Sequence, residues 1–157
     1  MAEPHLFTSA AELRAAAGRQ LGHSDWLEID QRRVDLFAEA TGDHQWIHVD
    51  PGRAAAGPFG TTVAHGYLTL SLLPVLVPQI VGVEGARMGI NYGTNKVRFP
   101  SPVPVGSRLR ATAVLKEAAE VEAQGAEAVQ VTLVVTVERE GASKPVCVAE
   151  SVTRYYW

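Results

Sequence analysis

One cysteine is all the chain contains: Cys147, set in a valine-rich run, among 157 residues. A lone thiol forms no internal disulfide and no thiolate cluster, so the expected state of Cys147 is buried and inert. Long hydrophobic runs are also lacking. The longest apolar stretch, residues 68–83, is broken by Pro74 and Pro78 and is too short to span a bilayer. Positive charge is not in excess: 14 Lys and Arg stand against 17 Asp and Glu, for a net charge of −3 with both signs interspersed. That argues against nucleic acid, which requires a basic face, and gives no sign of a membrane surface as partner. The opening residues Met1-Ala2-Glu3-Pro4-His5 show neither the basic region nor the apolar core of a signal peptide, so a reducing cytoplasm is the expected location. No internal repeat, low-complexity run or linker divides the chain.

What is present suits one domain over residues 1–157. Apolar residues make up 46% and charged residues 20%, a globular composition. Residues 9–17 read as a short helix capped by Thr8 or Ser9, with Glu12 at the capping-box position. Residues 25–29 alternate as a short strand. Asp30 opens a helix over 31–40, with Val34, Phe37, Ala38 and Thr41 as its apolar stripe and Gly42 as its left-handed stop. Asp50-Pro51 begins a helical turn over 51–56. Residues 67–81 read as one long helix, apolar nearly all round and therefore buried, kinked near Pro74 and ending near Pro78. After Gly82 the period changes. Residues 87–99, 107–121, 128–139 and 145–157 are rich in valine, threonine and aromatics and read as strands, with hairpin turns at Gln124-Gly125 and at 140–143. The economical arrangement is α+β: an antiparallel sheet curled around one long buried helix. Its open edge invites pairing with a second subunit, so a homodimer is expected.

The chemistry is concentrated in Thr41-Gly42-Asp43-His44-Gln45-Trp46-Ile47-His48-Val49-Asp50. Asp43 and His48 are five apart, about 140° around a helix axis, so a helix would not converge them. A loop bending after Gly42 would. A carboxylate and a neutral imidazole together can hold one water, one taking its proton while the other orients it. A neighbouring carbonyl would also have to be stabilised as it gains negative charge. Gly66, where the buried helix begins, offers an N–H without an internal partner and no side chain to obstruct it. Asp43, His44, His48, Asp50 and His65 also carry enough ligand atoms for zinc, but the spacing of His44 and His48 requires a helix that residues 45–47 do not suggest, so no metal is expected.

The run Phe37-Ala38-Glu39-Ala40-Thr41-Gly42-Asp43-His44-Gln45-Trp46-Ile47-His48-Val49-Asp50-Pro51, followed by Ala64-His65-Gly66-Tyr67, resembles the MaoC-type dehydratases, the (R)-specific enoyl-CoA hydratases of the hot-dog fold. Asn91-Tyr92-Gly93, Lys96-Val97-Arg98-Phe99-Pro100 and Pro104-Val105-Gly106 match the downstream strand and turn. The resemblance implies a single hot-dog domain of the stand-alone subgroup. It implies reversible syn hydration of a trans-2-enoyl thioester to the (R)-3-hydroxyacyl thioester. Asp43 and His48 would activate the water and the Gly66 N–H would hold the thioester oxygen. The acyl chain would follow the buried helix, with coenzyme A, part of the substrate rather than a cofactor, at the subunit interface. Ile47, His65 and Tyr67 beside the catalytic groups, and Asn91, Tyr92, Lys96 and Arg98 at the entrance, are the implied substrate contacts. The usual motif has Asn and Pro where this chain has Gln45 and Trp46, a variant that leaves the catalytic pair intact and bears on the shape of the acyl pocket.

Plainer roles stand beside these. Asp43 is a common turn residue. His48 and His65 could each satisfy a backbone carbonyl, His65 fixing the helix start. His44 would face away from Asp43. Lys96 and Arg98 alternate on a strand face that is either a phosphate contact or merely solvated. Two other functions share the fold: an acyl-CoA thioesterase, and a non-catalytic subunit that binds acyl thioesters.

Overall fold

The computed structural model describes residues 3–123 and 125–157. Gln124, half of one expected hairpin turn, lies outside them. In chain order the elements are β1 (His5–Phe7), α1 (Ala10–Ala15), β2 (Gln20–His23), β3 (Leu27–Glu28), α2 (Gln31–Thr41), α3 (Trp46–Val49), α4 (Pro51–Ala55), α5 (Gly66–Ser71), α6 (Leu73–Leu76), a 3₁₀ turn (Val77–Gln79), β4 (Val81–Val83), β5 (Met88–Arg98), β6 (Arg108–Ala123), β7 (Ala126–Arg139) and β8 (Cys147–Tyr156).

The four long strands carry the architecture. In β7, Val129, Val131, Leu133, Val135 and Val137 are all buried, and in β6 so are Leu109, Ala111, Ala113 and Leu115. Period-two burial of this kind commits one face of each strand to the core. The strands lie in the order β2-β6-β7-β8-β5, with β3 also on β6, and every pairing in this sheet is antiparallel. The register of β6 on β7 shifts between Leu115 and Glu117. An extra residue there bends the strand and increases its twist, which helps the sheet curl. A separate two-stranded parallel ribbon joins β1 to β4.

The curled sheet encloses α5, α6 and the 3₁₀ turn, the hot-dog arrangement expected from the sequence. Leu68, Leu72, Leu73, Leu76 and Ile80 are buried there and join one apolar cluster running from Phe7 to Ala149. The expectation of one long helix needs correction. The helical path is segmented, and Pro74 and Pro78 each fall in the first turn of a new segment. Proline has no N–H to donate, and only a first turn leaves that N–H without an intrahelical partner. Nor is the path buried all round: Tyr67 is 72% exposed and Val75 46%.

Other boundaries follow local chemistry. The Asp30 carboxylate accepts from the Arg33 N–H, and Gly42 closes α2 at φ +78°. Ser9 caps α1, but Glu12 reaches one residue further back than a capping box, accepting from the Thr8 N–H at 2.6 Å. The exposed Thr41 is not part of the α2 stripe: its hydroxyl donates to the Phe37 carbonyl at 2.7 Å. Cys147 is fully buried, and burial pushes its thiol up to about 11, which leaves it protonated and inert at neutral pH. Among the described residues, no helix is long and apolar enough to cross a membrane.

Candidate active site

Where the sequence reading placed a loop, residues 46–49 form the single helical turn α3, entered through the left-handed Gly42. That turn brings Ile47 and His48 against the segment ahead of α5. The Val63 N–H donates to the Ile47 carbonyl at 2.9 Å, and His48 Nδ1–H donates to the Val63 carbonyl at 2.6 Å. The same segment is tied to the chain entering β6: Ala64 N–H donates to the Val103 carbonyl and Val105 N–H to the Thr62 carbonyl. Gln31, the first residue of α2, completes the frame. Its side-chain amide donates to the His48 carbonyl at 2.7 Å and accepts from the Thr62 hydroxyl at 2.6 Å.

These bonds fix a tautomer. A carbonyl can only accept, so His48 carries its proton on Nδ1 and presents a lone pair at Nε2. Nε2 lies 4.0 Å from Asp43 Oδ2. That is too long for a direct hydrogen bond. It suits one water lying about 2.8 Å from each group. Burial pushes the His48 imidazole below its ordinary range, and the Val63 carbonyl opposes that push. Smaller contributions come from His65, which lowers it, and Asp43, which raises it. His48 is therefore a neutral base at pH 7.

His65, 3% exposed, joins the pair. Its ring stacks on that of His48 with centroids 3.8 Å apart and planes 26° apart, and Phe37 packs against it at 5.0 Å. His65 Nε2–H donates to the Asp43 backbone carbonyl at 2.9 Å. Asp43, His48 and His65 together place three donor atoms within 4.8 Å of one another, a set that invites comparison with a metal site. The set fits a metal poorly. His65 Nε2 is already committed as a donor to the Asp43 carbonyl, which leaves it no lone pair for an ion. The other conceivable ligands are engaged elsewhere. His44 pairs with Glu39 at 2.8 Å, and Asp50 caps α4 by accepting from the Arg53 N–H at 3.0 Å.

Gly66 follows His65 as the first residue of α5. No backbone carbonyl among the described residues accepts from its N–H. On its Cα side Gly66 is closely packed. A Cβ at this position would stand 2.9 Å from the Phe99 ring, so it is Phe99 that requires glycine here. With six residues, α5 contributes little dipole, and any oxyanion binding would rest on the local N–H.

The remaining candidates are dispersed. Ile47 is half-buried, and Tyr67 is exposed, edge-on to Phe99 with centroids 6.1 Å apart. Asn91 is exposed on β5 opposite Thr153. Tyr92 lies under the Arg154 guanidinium, 3.5 Å from its ring centroid. Lys96 and Arg98 are both exposed, and a bulge lies between Thr94 and Val97. None of these four hydrogen-bonds to the Asp43–His48–His65 cluster. Trp46 packs away from the imidazoles. The Arg53 guanidinium sits 4.4 Å from its ring centroid, and a Cβ on Gly57 would meet its edge at 2.9 Å. It braces the α3–α4 turn. Sequence reasoning missed Gln31, Val63 and Phe99. Val63 acts through its backbone, which no side-chain pattern advertises, while Gln31 at the start of a helix was visible but had no partner in sequence.

The comparisons bear on this geometry. The family model described as "MaoC like domain" matches residues 12–139. The chain is similar to 3-hydroxyacyl-thioester dehydratase Z of Mycobacterium tuberculosis (strain ATCC 25618 / H37Rv), 62% identical over 95% of this chain and 97% of that protein. It is 46% identical to nodulation protein N of Rhizobium leguminosarum bv. viciae, over 92% of this chain and 89% of that one. Among solved structures it resembles the R-hydratase PhaJ1 from Pseudomonas aeruginosa in its unliganded form. There the TM-score is 0.67 and the identity 26%, over 92% of this chain and 83% of that one.

The contact at Gly66 generates a prediction. Gly66→Ala should destabilise the protein by about 1–3 kcal/mol through overpacking against Phe99. Adding Phe99→Leu should recover part of that loss. Thermal unfolding of the two variants checks this; a Gly66→Ala protein as stable as the parent would mean the ring simply swings away.

Proposed function

The chain belongs to the MaoC-like domain family, and from that membership and the geometry around His48 we propose that it is an (R)-specific enoyl-CoA hydratase, running in reverse as a 3-hydroxyacyl-thioester dehydratase. That the chain is an enzyme of the hydratase–dehydratase class follows from its 62% identity to named dehydratases along nearly its whole length. The finer reading rests on one observation: a neutral imidazole with its lone pair 4.0 Å from a carboxylate oxygen, the separation that one shared water requires.

In the proposed reaction, water donates hydrogen bonds to Asp43 Oδ2 and His48 Nε2. As its oxygen attacks C3 of the trans-2-enoyl thioester, His48 Nε2 takes the proton while Asp43 holds the water in line. Electron density moves from the alkene to the thioester oxygen, which the Gly66 N–H stabilises. His48 Nε2 then returns that proton to C2 on the same face, which completes syn addition and restores the neutral imidazole. General acid–base assistance of this kind contributes roughly 10²–10⁴-fold. One oxyanion donor adds about 10²–10³-fold. Asp43 is half-exposed and Phe99 is 40% exposed, which leaves a thioester a route to the pair once the ring moves aside. No cofactor or metal is required, and coenzyme A arrives with the substrate.

The same reading includes a homodimer. Among the described residues, β5 is an edge strand whose outer N–H and C=O groups find no strand partner. Met88, Ile90 and Tyr92 on it are exposed, as are Tyr67 and Phe99 beside the site. A second copy along this edge would cover those side chains and roof the half-exposed Asp43.

Three outcomes are expected. First, trans-2-enoyl-CoA should lose its conjugated-thioester absorbance with this protein. Asp43→Asn and His48→Gln should each reduce kcat by about 10²–10⁴-fold while remaining folded by circular dichroism. Release of free thiol instead would favour a thioesterase, and binding without turnover a non-catalytic subunit. Second, the acid limb of kcat/KM for hydration should fall below pH 6.5. His48 must be neutral to act and burial lowers its pKa, so activity persists as pH drops past the ordinary histidine range and is lost only further down. A limb above pH 6.5 would contradict the assignment. Third, sedimentation should report twice the 16.9 kDa chain mass, and Ile90→Asp should lower it towards one. A parent protein that sediments as a single chain would remove the dimer.

A further inference from the structure

The proposed hydration gives no part to the second buried imidazole of the cluster. His65 is 3% exposed, its Nδ1 is buried without a hydrogen-bond partner, and its ring lies between Phe37 and His48. A buried polar atom left unpaired costs about 1–3 kcal/mol. A leucine here would avoid that cost but would lose the Nε2–H bond to the Asp43 carbonyl, so that bond is what the imidazole supplies.

What the imidazole does is tie together two groups otherwise linked through Gln45, whose N–H donates weakly to Asp43 Oδ1 and whose carbonyl accepts from the His48 N–H. Asp43 sits on the segment leaving α2, held locally by weak contacts. Its N–H reaches the Thr41 hydroxyl at 3.5 Å, and its carboxylate accepts from the Gln45 N–H at 3.4 Å. His48 sits on α3, held by the short bond to Val63. Asp43 could therefore drift while His48 stays put. His65 Nε2–H grips the Asp43 carbonyl at 2.9 Å, and the same ring lies flat on the His48 imidazole. We propose that His65 is a positioning residue for the hydration reaction, setting the separation of the Asp43 carboxylate from His48 Nε2 through a hydrogen bond to one and a ring stack on the other. This rests on the hydratase reading, because only a shared water makes that separation matter.

The arrangement dictates a tautomer for each ring. His48 is protonated at Nδ1, because Nδ1 donates to a carbonyl. His65 is protonated at Nε2, for the same reason, and keeps its lone pair on the sheltered Nδ1. The two stacked rings thus carry opposite tautomers. Phenylalanine at 65 would keep the stack and lose the donor. Glutamine, whose amide nitrogen falls near the position of Nε2, would keep the donor and lose the ring.

The experiment pairs kinetics with spectroscopy. With a trans-2-enoyl-CoA, His65→Phe should lower kcat by about 10–100-fold with KM changed only a few-fold, since a misplaced group costs rate rather than binding. His65→Gln should recover most of that loss. A variant that folds and keeps kcat within two-fold of the parent overturns the proposal, as does His65→Gln being no better than His65→Phe. In the unsubstituted protein, ¹⁵N-histidine correlation spectra should show His48 as the Nδ1–H and His65 as the Nε2–H tautomer. This reading needs no variant to fold, and a His65 protonated on Nδ1 overturns the proposal by itself. Failure of the function is separable: if Asp43→Asn and His48→Gln also leave turnover intact, the hydratase reading falls. If they abolish it while position 65 is silent, only the role of His65 does.

Discussion

The bond from His48 Nδ1–H to the Val63 carbonyl is the interaction on which the site depends. It is short, buried and made to the backbone. Backbone acceptors are fixed by the fold rather than by a rotamer, so the ring orientation is inherited from the sheet. Val63 answers with its own N–H to Ile47, making the contact two-sided. The chain around Val63 is in turn pinned to residues 103–105, just before β6 begins. A base lone pair is thus aimed by a path that runs from the core sheet through one carbonyl. The same path explains why a one-turn helix suffices for α3. Four residues could not hold a helix in isolation, where nucleation is unfavourable. Here Gln31 and Val63 hold it from outside.

The segmented central helix serves the same end. A continuous helix over residues 67–81 would need N–H donors where Pro74 and Pro78 have none. By restarting at each proline the chain keeps Leu68, Leu72, Leu73, Leu76 and Ile80 in the core while changing direction. What remains is a short α5 whose opening residue is free to face the site, closed over by Phe99 from the end of β5. Phe99 therefore relates the sheet edge to the site. A change in the packing of that edge, as on meeting a second subunit, would be felt at Gly66.

Much of this was legible in the residues, and the exceptions share a cause. Asp43, His48 and the Asp30 and Gly42 boundaries of α2 could be read because each is a side-chain preference acting locally. The four long strands were legible through alternation. β1, β2 and β4 were not: Gln20-Leu21-Gly22-His23 has one apolar residue, and it becomes a strand only because β6 is long enough to pair with it. α3 was read as a loop because its supports are twelve or more residues away in sequence. Trp46 departs from the usual motif, and the residues alone do not show what its ring packs against. The partners that claim it, Arg53 and Gly57, come only with the turn of α4. The bulge in β5 between Thr94 and Val97 was not legible either. Wherever a long-range backbone contact or a register shift decided the outcome, the sequence was silent.

The contrast between the two groups proposed for catalysis, Asp43 and His48, follows from placement. The Asp43 side chain is 54% exposed, and that of His48 is 8% exposed. A carboxylate at the mouth of a site can keep some of its hydration, so its charge does not have to be desolvated in full. An imidazole in the wall is driven neutral by the same burial that orients it. Environments that separate two titratable groups in this way assign them different tasks. Exchanging the two residues would put a charge into the wall beside another imidazole, with only one carbonyl at hand and no cation to pair it. The order of Asp before His along this segment is therefore set by which position faces water and which faces Val63.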